Sequence, residues 1–348
     1  MNKYNHDYAG IYKKAIIKLK GLFFRFFPSD KRRFLYRSYW NIYKKKKREH
    51  ETEYKIYMTQ EPNPLAGFGH GIDVWRNGIN NAIYFGLEYA YCPMVSREWD
   101  QRLGLGEGLN TIKHLKRKGY RTVRLPYYNP YDCNDIDFIN RIIDSYKGEK
   151  VIFLNEFEQP SDRSYGHYGW EFMRRQFWNS SERCLDKLIY EEHKINIAVH
   201  VRRGDVSKDS DDENIRMRWL DNAYYIELLK YIISESSNKE IIHIYIFSEG
   251  TPEDFSDFDQ LNCLITYCLS MSVIESFIHM CRADMLLVGL SSFSADPGII
   301  NPSLKIVPSA LWWNYPDNGE WIIADGQGSL STTDRYRIRE YLLSKSCE

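Results

Sequence analysis

Five short apolar runs follow one another in the second half of the chain, spaced widely enough to hold a helix between each pair. They are NIAVHV (Asn196–Val201), IIHIYIF (Ile241–Phe247), CLITY (Cys263–Tyr267), MLLVG (Met285–Gly289) and KIVPS (Lys305–Ser309). Runs of this length, rich in β-branched residues, suit strands buried on both faces. LDNAYYIELLKYII and SVIESFIHMCR lie between them, with apolar residues at helical spacing. Alternating strands and helices restrict the fold to a parallel sheet covered on both sides. A looser series precedes it: YKIYM (Tyr54–Met58), a candidate strand near Tyr91, RTVRL (Arg121–Leu125) and KVIFLN (Lys150–Asn155). There GFGHG (Gly67–Gly71) reads as a tight loop before the helical pattern IDVWRNGINNAIYFGLEYA. With 348 residues the chain can fill two such domains. The expected fold class is α/β with two Rossmann-like domains. The expected divisions are a basic helical segment over 1–53, an α/β domain over 54–192, a second over 193–330, and a C-terminal helix over 331–348. The aromatic, helical stretch Ser161–Glu192 forms the bridge.

Charge narrows the partners. Lysine plus arginine equals aspartate plus glutamate at 47 each, so no overall positive field recommends nucleic acid. The seven cysteines are odd in number and show no CxxC spacing, which argues against a disulfide framework or a zinc site and fits a reducing, cytoplasmic location. The 27 tyrosines suit polar, ring-shaped ligands such as sugars, though a low-GC codon bias enriches tyrosine equally. Met1–Gln60 carries 16 basic against 5 acidic residues. Within it AIIKLKGLFFRFF is too short and too charged to span a bilayer. No uninterrupted apolar core follows the basic start, so a secretory signal peptide is not expected. The segment suits peripheral contact with an anionic leaflet at the cytoplasmic face. The alternative is an ordinary helix packed on the protein, with KKKKR as a solvated run.

In an open parallel sheet, ligands bind at the carboxyl ends of the strands. Three polar clusters fall there: HVRRGD after the first strand of the second series, FSEG (Phe247–Gly250) and GLSSFS (Gly289–Ser294). Arginine gives planar, bidentate contacts to phosphate and keeps its charge. Side chains alternate along a strand, so Arg202 and Arg203 should part ways. We expect Arg202 to meet the ligand and Arg203 to pair with Asp205 or brace the loop. Gly204 allows a sharp turn. His200 is either a satisfied core histidine or a ligand contact. The RGD triplet follows a buried strand, which argues against an adhesion motif, and a surface salt-bridge cluster is the plain alternative for HVRRGD.

IAVHVRRGDV, IYIFSEG and CRADMLLVGLSSFS together resemble the fucosyltransferases that include the α1,2-, core α1,6- and nodulation-factor enzymes. GFGHGIDVWRNGINNAIYFGLEYA is similar to the glycine loop and helix of their first domain. The likeness is firm over Ile195–Ser309, weaker over Tyr54–Pro93, and absent at both ends. It implies a GT-B-like enzyme with two Rossmann-like domains facing a cleft, inverting, needing neither metal nor cofactor, and moving fucose from GDP-fucose to an oligosaccharide or glycolipid. By the same resemblance Arg202 grips the β-phosphate, Asp205 organises its loop and Arg203 belongs to the same binding set. Glu249 accepts hydrogen bonds from guanine, with His200 beside the base. Ser291, Ser292 and Phe293 form the turn that offers hydroxyl and N–H groups to phosphate. Gly67, Gly69 and His70 belong to the loop that closes over the pyrophosphate. This sequence departs where relatives carry Asp in the FSEG position and, in the core type, Gln after the serines. Those departures leave room for another nucleotide sugar, or for a binding protein without turnover.

An inverting transferase needs a base for the acceptor hydroxyl. VSKDSDDENIR follows HVRRGD, and in the α1,6 relatives a base glutamate lies in this loop. Glu213 and Asp211 are the candidates here, and a solvated acidic turn is the alternative. DSD (Asp209–Asp211) also has the form of a short metal-binding motif. Trp170, Trp178, Trp312, Trp313 and Trp321 either stack on acceptor sugars or fill the core.

Overall fold

The computed structural model describes residues 33, 35–40, 54–64, 66–94, 96–157, 159–161, 166–236, 238–311, 315 and 318–346. AIIKLKGLFFRFF, KKKKR, Trp312, Trp313 and Cys347 lie outside the described residues. The chain is α/β and forms two compact units. One comprises Met1–Ala66, Val74–Asp100 and Gly106–Gly169; the other comprises Gly67–Asp73, Gln101–Leu105 and Trp170–Glu348.

The first unit holds a parallel sheet of β1 (Tyr57–Gln60), β2 (Glu88–Tyr89), β3 (Arg121–Arg124) and β4 (Val151–Asn155), ordered β2-β1-β4-β3. Neighbouring residues of the central strands enter opposite faces, as the pleat requires. Met58, Val151 and Phe153 pack with Leu125, Phe138 and Ile142, while Tyr57 and Ile152 pack with Ala90 and Leu115. The helix Cys133–Asp144 starts where the Asp132 carboxylate accepts a hydrogen bond from Asn134 N.

The second unit holds six parallel strands: β5 (Ile195–His200), β6 (Ile242–Phe247), β7 (Leu264–Cys268), β8 (Met285–Leu287), β9 (Leu304–Pro308) and β10 (Trp321–Ala324). Their order is β10-β9-β8-β5-β6-β7. The chain therefore winds outward through β6 and β7, returns to the other side of β5, and winds outward again through β8, β9 and β10. That is a doubly wound sheet whose direction reverses between β5 and β8. Ile195, Ile197, Val199, Ile244 and Ile246 fill one face; Ala198, Tyr245, Phe247, Leu286 and Val288 fill the other. Each of the five apolar runs forms a strand to within about two residues.

Three features differ from expectation. WIIA forms β10, although its four residues gave too short a run to stand out. GFGHG is not a loop: Phe68 opens the helix Phe68–Tyr84. Each glycine in a helix costs about 1 kcal/mol against alanine. Here the packing of Phe68 edge-on against Phe277 and Phe293, at 4.9 and 5.8 Å, outweighs that cost. The second unit also begins before residue 193. Arg174 Nε donates to Ile299 O at 3.1 Å and Trp178 Nε1 donates to Ile300 O at 3.0 Å, tying the helix Gly166–Asn179 into it from Trp170 onward.

Candidate functional site

Because β5 lies between β8 and β6, the three polar turns that follow these strands are neighbours in the second unit. The strand β5 ends at His200, and Val201 still bonds to Phe247 O and faces the core. The next two side chains separate. Arg202 turns toward the β8 end, where Nη1 donates to Leu290 O at 3.4 Å. Arg203 turns the other way: Nη2 donates to Asn222 Oδ1 at 2.5 Å, and the guanidinium stacks 3.7 Å over the Trp219 ring.

The pairing with Asp205 falls to Arg202 rather than Arg203. Nε and Nη2 of Arg202 reach the two carboxylate oxygens at 3.1 and 2.7 Å, a bidentate fork. This contact holds the Asp205 carboxyl below its ordinary range. Asp205 is largely exposed while Arg202 is mostly covered, so the carboxylate fixes the guanidinium from the solvent side.

Gly204 has φ +82°, and a Cβ there would overlap the Glu249 carboxylate. Glycine suits the left-handed backbone, and any side chain here would displace the Glu249 carboxylate. Glu249 stands with Arg203, Trp219, Asn222, Asp254 and Asp257 around an open pocket of about 670 Å³. Asn222 is its hub. Its Nδ2 donates to Asp254 O at 2.8 Å and Asp257 Oδ1 at 3.0 Å, while its oxygen receives Arg203. Trp219, Asn222, Asp254 and Asp257 were not anticipated.

On the β8 side, Ser291 caps the helix Ser292–Ile300 by accepting from Phe293 N at 3.2 Å. The expected turn is thus a helix start, and the cap occupies the Phe293 amide. Gly69 and the Ser292–Phe293 turn lie in the same unit, in van der Waals proximity. A Cβ on Gly69 would come within 2.7 Å of Ser292 Oγ and 2.8 Å of Phe293 N. Gly67 and His70 flank this contact at the start of the helix Phe68–Tyr84, and His70 is exposed.

His200 is 6% exposed and packs against the Phe293 ring at 5.2 Å. Burial, then the nearby Arg202 charge, push its pKa down to about 3, so the ring is neutral. Its Nδ1 is buried without a hydrogen-bond partner. His200 is therefore not a satisfied core histidine. Asp211 and Glu213 are exposed and do not line the pocket; Asp212 between them caps the short helix Glu213–Arg216. Among the described residues no group of three or more His, Cys, Asp or Glu side chains is arranged to hold a metal ion, and no helix is long and apolar enough to cross a membrane.

No protein-family model matches the chain, and no curated protein matches it in sequence. It is similar in structure to POFUT1 in its apo form, at 10% identity over 74% of this chain and 99% of that one, with a TM-score of 0.48. It is likewise similar to the ADP-heptose lps heptosyltransferase II of E. coli, at 10% identity over 84% and 99% of the two chains and a TM-score of 0.41. A glycosyl transferase family 9 protein of Veillonella parvula follows at 12%, 85%, 99% and 0.40. At these values the likeness is one of chain path and bears on no residue.

Proposed function

We propose that the chain is an inverting glycosyltransferase that moves fucose from GDP-fucose to a hydroxyl of an oligosaccharide or glycolipid, without a metal ion or cofactor. The observation that carries this reading is the juxtaposition at β8, β5 and β6. A preset guanidinium and a serine-capped helix start lie at the point where a doubly wound sheet reverses, between β5 and β8, and an acidic side chain over a pocket follows the next strand, β6. This is where such sheets hold nucleotides.

The chemistry fits a nucleoside diphosphate. As the glycosidic bond breaks, negative charge grows on the leaving diphosphate. Arg202, aligned by Asp205, can stabilise it without reorganising, and removing such a donor typically costs ~2.7–4 kcal/mol of transition-state stabilisation. Guanine presents N1–H beside an exocyclic amine, which the Glu249 carboxylate can accept together; adenine has no such pair. Asp211 or Glu213 is the proposed base for the acceptor hydroxyl. A second reading keeps the fold and changes the sugar. Glu249 followed by Gly250, and the sequence Ser291–Ser294, favour it by departing from the fucosyltransferase pattern.

Isothermal titration with GDP, UDP and ADP, followed by turnover with GDP-fucose and other nucleotide sugars, tests both readings. GDP should bind preferentially, and Arg202→Ala should lose ~10²–10³-fold in turnover while remaining folded. A folded protein that ignores GDP would overturn the assignment. Turnover with a different GDP-sugar alone would select the second reading.

A further inference from the structure

We propose that the N-terminal segment docks the first unit onto an anionic membrane surface through Leu35, Tyr39 and Trp40. The turn that carries them is amphipathic in the inverted sense. Its charged side chains face the protein: Arg33 pairs with Asp135 at 3.5 Å and lies 4.8 Å over the Phe138 ring. Arg37 stacks 3.5 Å over Tyr146, donates to Glu149 Oε1 at 2.5 Å and also bonds to Ser145 O. Tyr36 completes the anchor, with its hydroxyl donating to Arg124 O at 2.9 Å and its ring edge-on to Phe138 at 5.8 Å. The apolar side chains face outward instead. Leu35 is 60% exposed, Tyr39 56% and Trp40 60%, and the two rings meet edge to face at 5.0 Å.

Two guanidiniums and a tyrosine thus hold a leucine, a tyrosine and a tryptophan out toward solvent. Rings with a polar atom prefer the headgroup level of a bilayer.

Charge selects the kind of surface. From Met1 to Arg48 the sequence contains only Asp7 and Asp30 as acidic residues. Lys31 and Arg32 lie just before the exposed trio, and Lys44–Lys47 with Arg48 just after. The whole chain is neutral, so the remainder is net negative. An anionic leaflet attracts the first part and repels the rest, which orients the molecule. Each basic residue near such a leaflet contributes about 1 kcal/mol, lost as salt screens it. Nucleic acid would also attract the charge, but it gives an outward leucine nothing to bury in.

The full chain should co-sediment with vesicles of phosphatidylcholine plus phosphatidylserine and not with phosphatidylcholine alone, and raised salt should release it. The double variant Tyr39→Ser/Trp40→Ser, and separately Leu35→Ser, should weaken vesicle binding at least several-fold with unchanged circular dichroism. Equal binding to neutral vesicles, absence of binding to anionic ones, or full binding by both folded variants would overturn the proposal. So would a preference for duplex DNA over anionic vesicles.

Discussion

At the scale of single residues, two positions near the β5 end carry most of the testable content. Gly204→Ala places a Cβ where the Glu249 carboxylate now lies and forces a left-handed backbone on alanine. The strain alone costs about 1–2 kcal/mol. We expect a loss of that size in urea unfolding, together with a larger relative loss of GDP affinity in titration, because Glu249 must swing away. His200 gives a pH signature. Its folded pKa is depressed to about 3 from 6.5. Between those values the unfolded chain binds a proton that the folded one refuses, so stability is full above pH 6.5 and declines as pH falls through this window. One proton sets a limiting slope of about 1.4 kcal/mol per pH unit. His200→Gln should flatten the acid limb of stability measured by denaturant titration across that window.

At the scale of elements, the helix Ser292–Ile300 is held from its far end. Arg174 and Lys305 both donate to Asn301 O, at 3.1 and 2.8 Å, and Glu320 binds both cations at 2.6 and 2.7 Å. Cations beside the last carbonyls complement the helix dipole. Glu320→Ala would leave two positive groups facing each other, one fully buried, and should cost about 3–5 kcal/mol in unfolding experiments. Lys305→Met, with Glu320 retained, should cost less.

This helix also marks the limit of what could be read from the residues. The flanking strands were legible because buried parallel strands must be continuous apolar runs. SFSADPGII hides its helicity, since Pro297 and Gly298 both disfavour it. Only the structure shows what keeps Gly298 there: a side chain at 298 would press on the Trp321 ring at 3.0 Å. The GFGHG segment misled for a related reason, because Gly69 serves close approach rather than a turn. Arg202, Gly204 and Glu249 were legible as polar-turn residues just past strand ends, which is where the structure has them. The hub at Asn222 was not, because neutral amides acquire meaning only from their partners.

At the scale of the whole molecule, the second unit is not a contiguous piece of chain. Phe68 and Gly69 cover Phe277 and Phe293, and Arg102 reaches Asp186 at 3.4 Å, yet both segments precede residue 170. A fragment comprising 170–348 should therefore expose that aromatic surface. We expect it to bind a hydrophobic dye and unfold at lower urea than the full chain; a fragment as stable as the parent would contradict this. Saturating GDP gives the converse test. At a hundred times its dissociation constant a ligand adds about 2.7 kcal/mol to the folded state, visible as a raised midpoint.

The side chain of Lys305 is wholly enclosed, and its ammonium is held at a pKa of about 8. Amine-directed acylating reagents that decorate the surface lysines within minutes cannot reach it until the fold opens. Acyl incorporation at this one position, read by peptide mass spectrometry, would act as an internal clock for how often the doubly wound sheet comes apart.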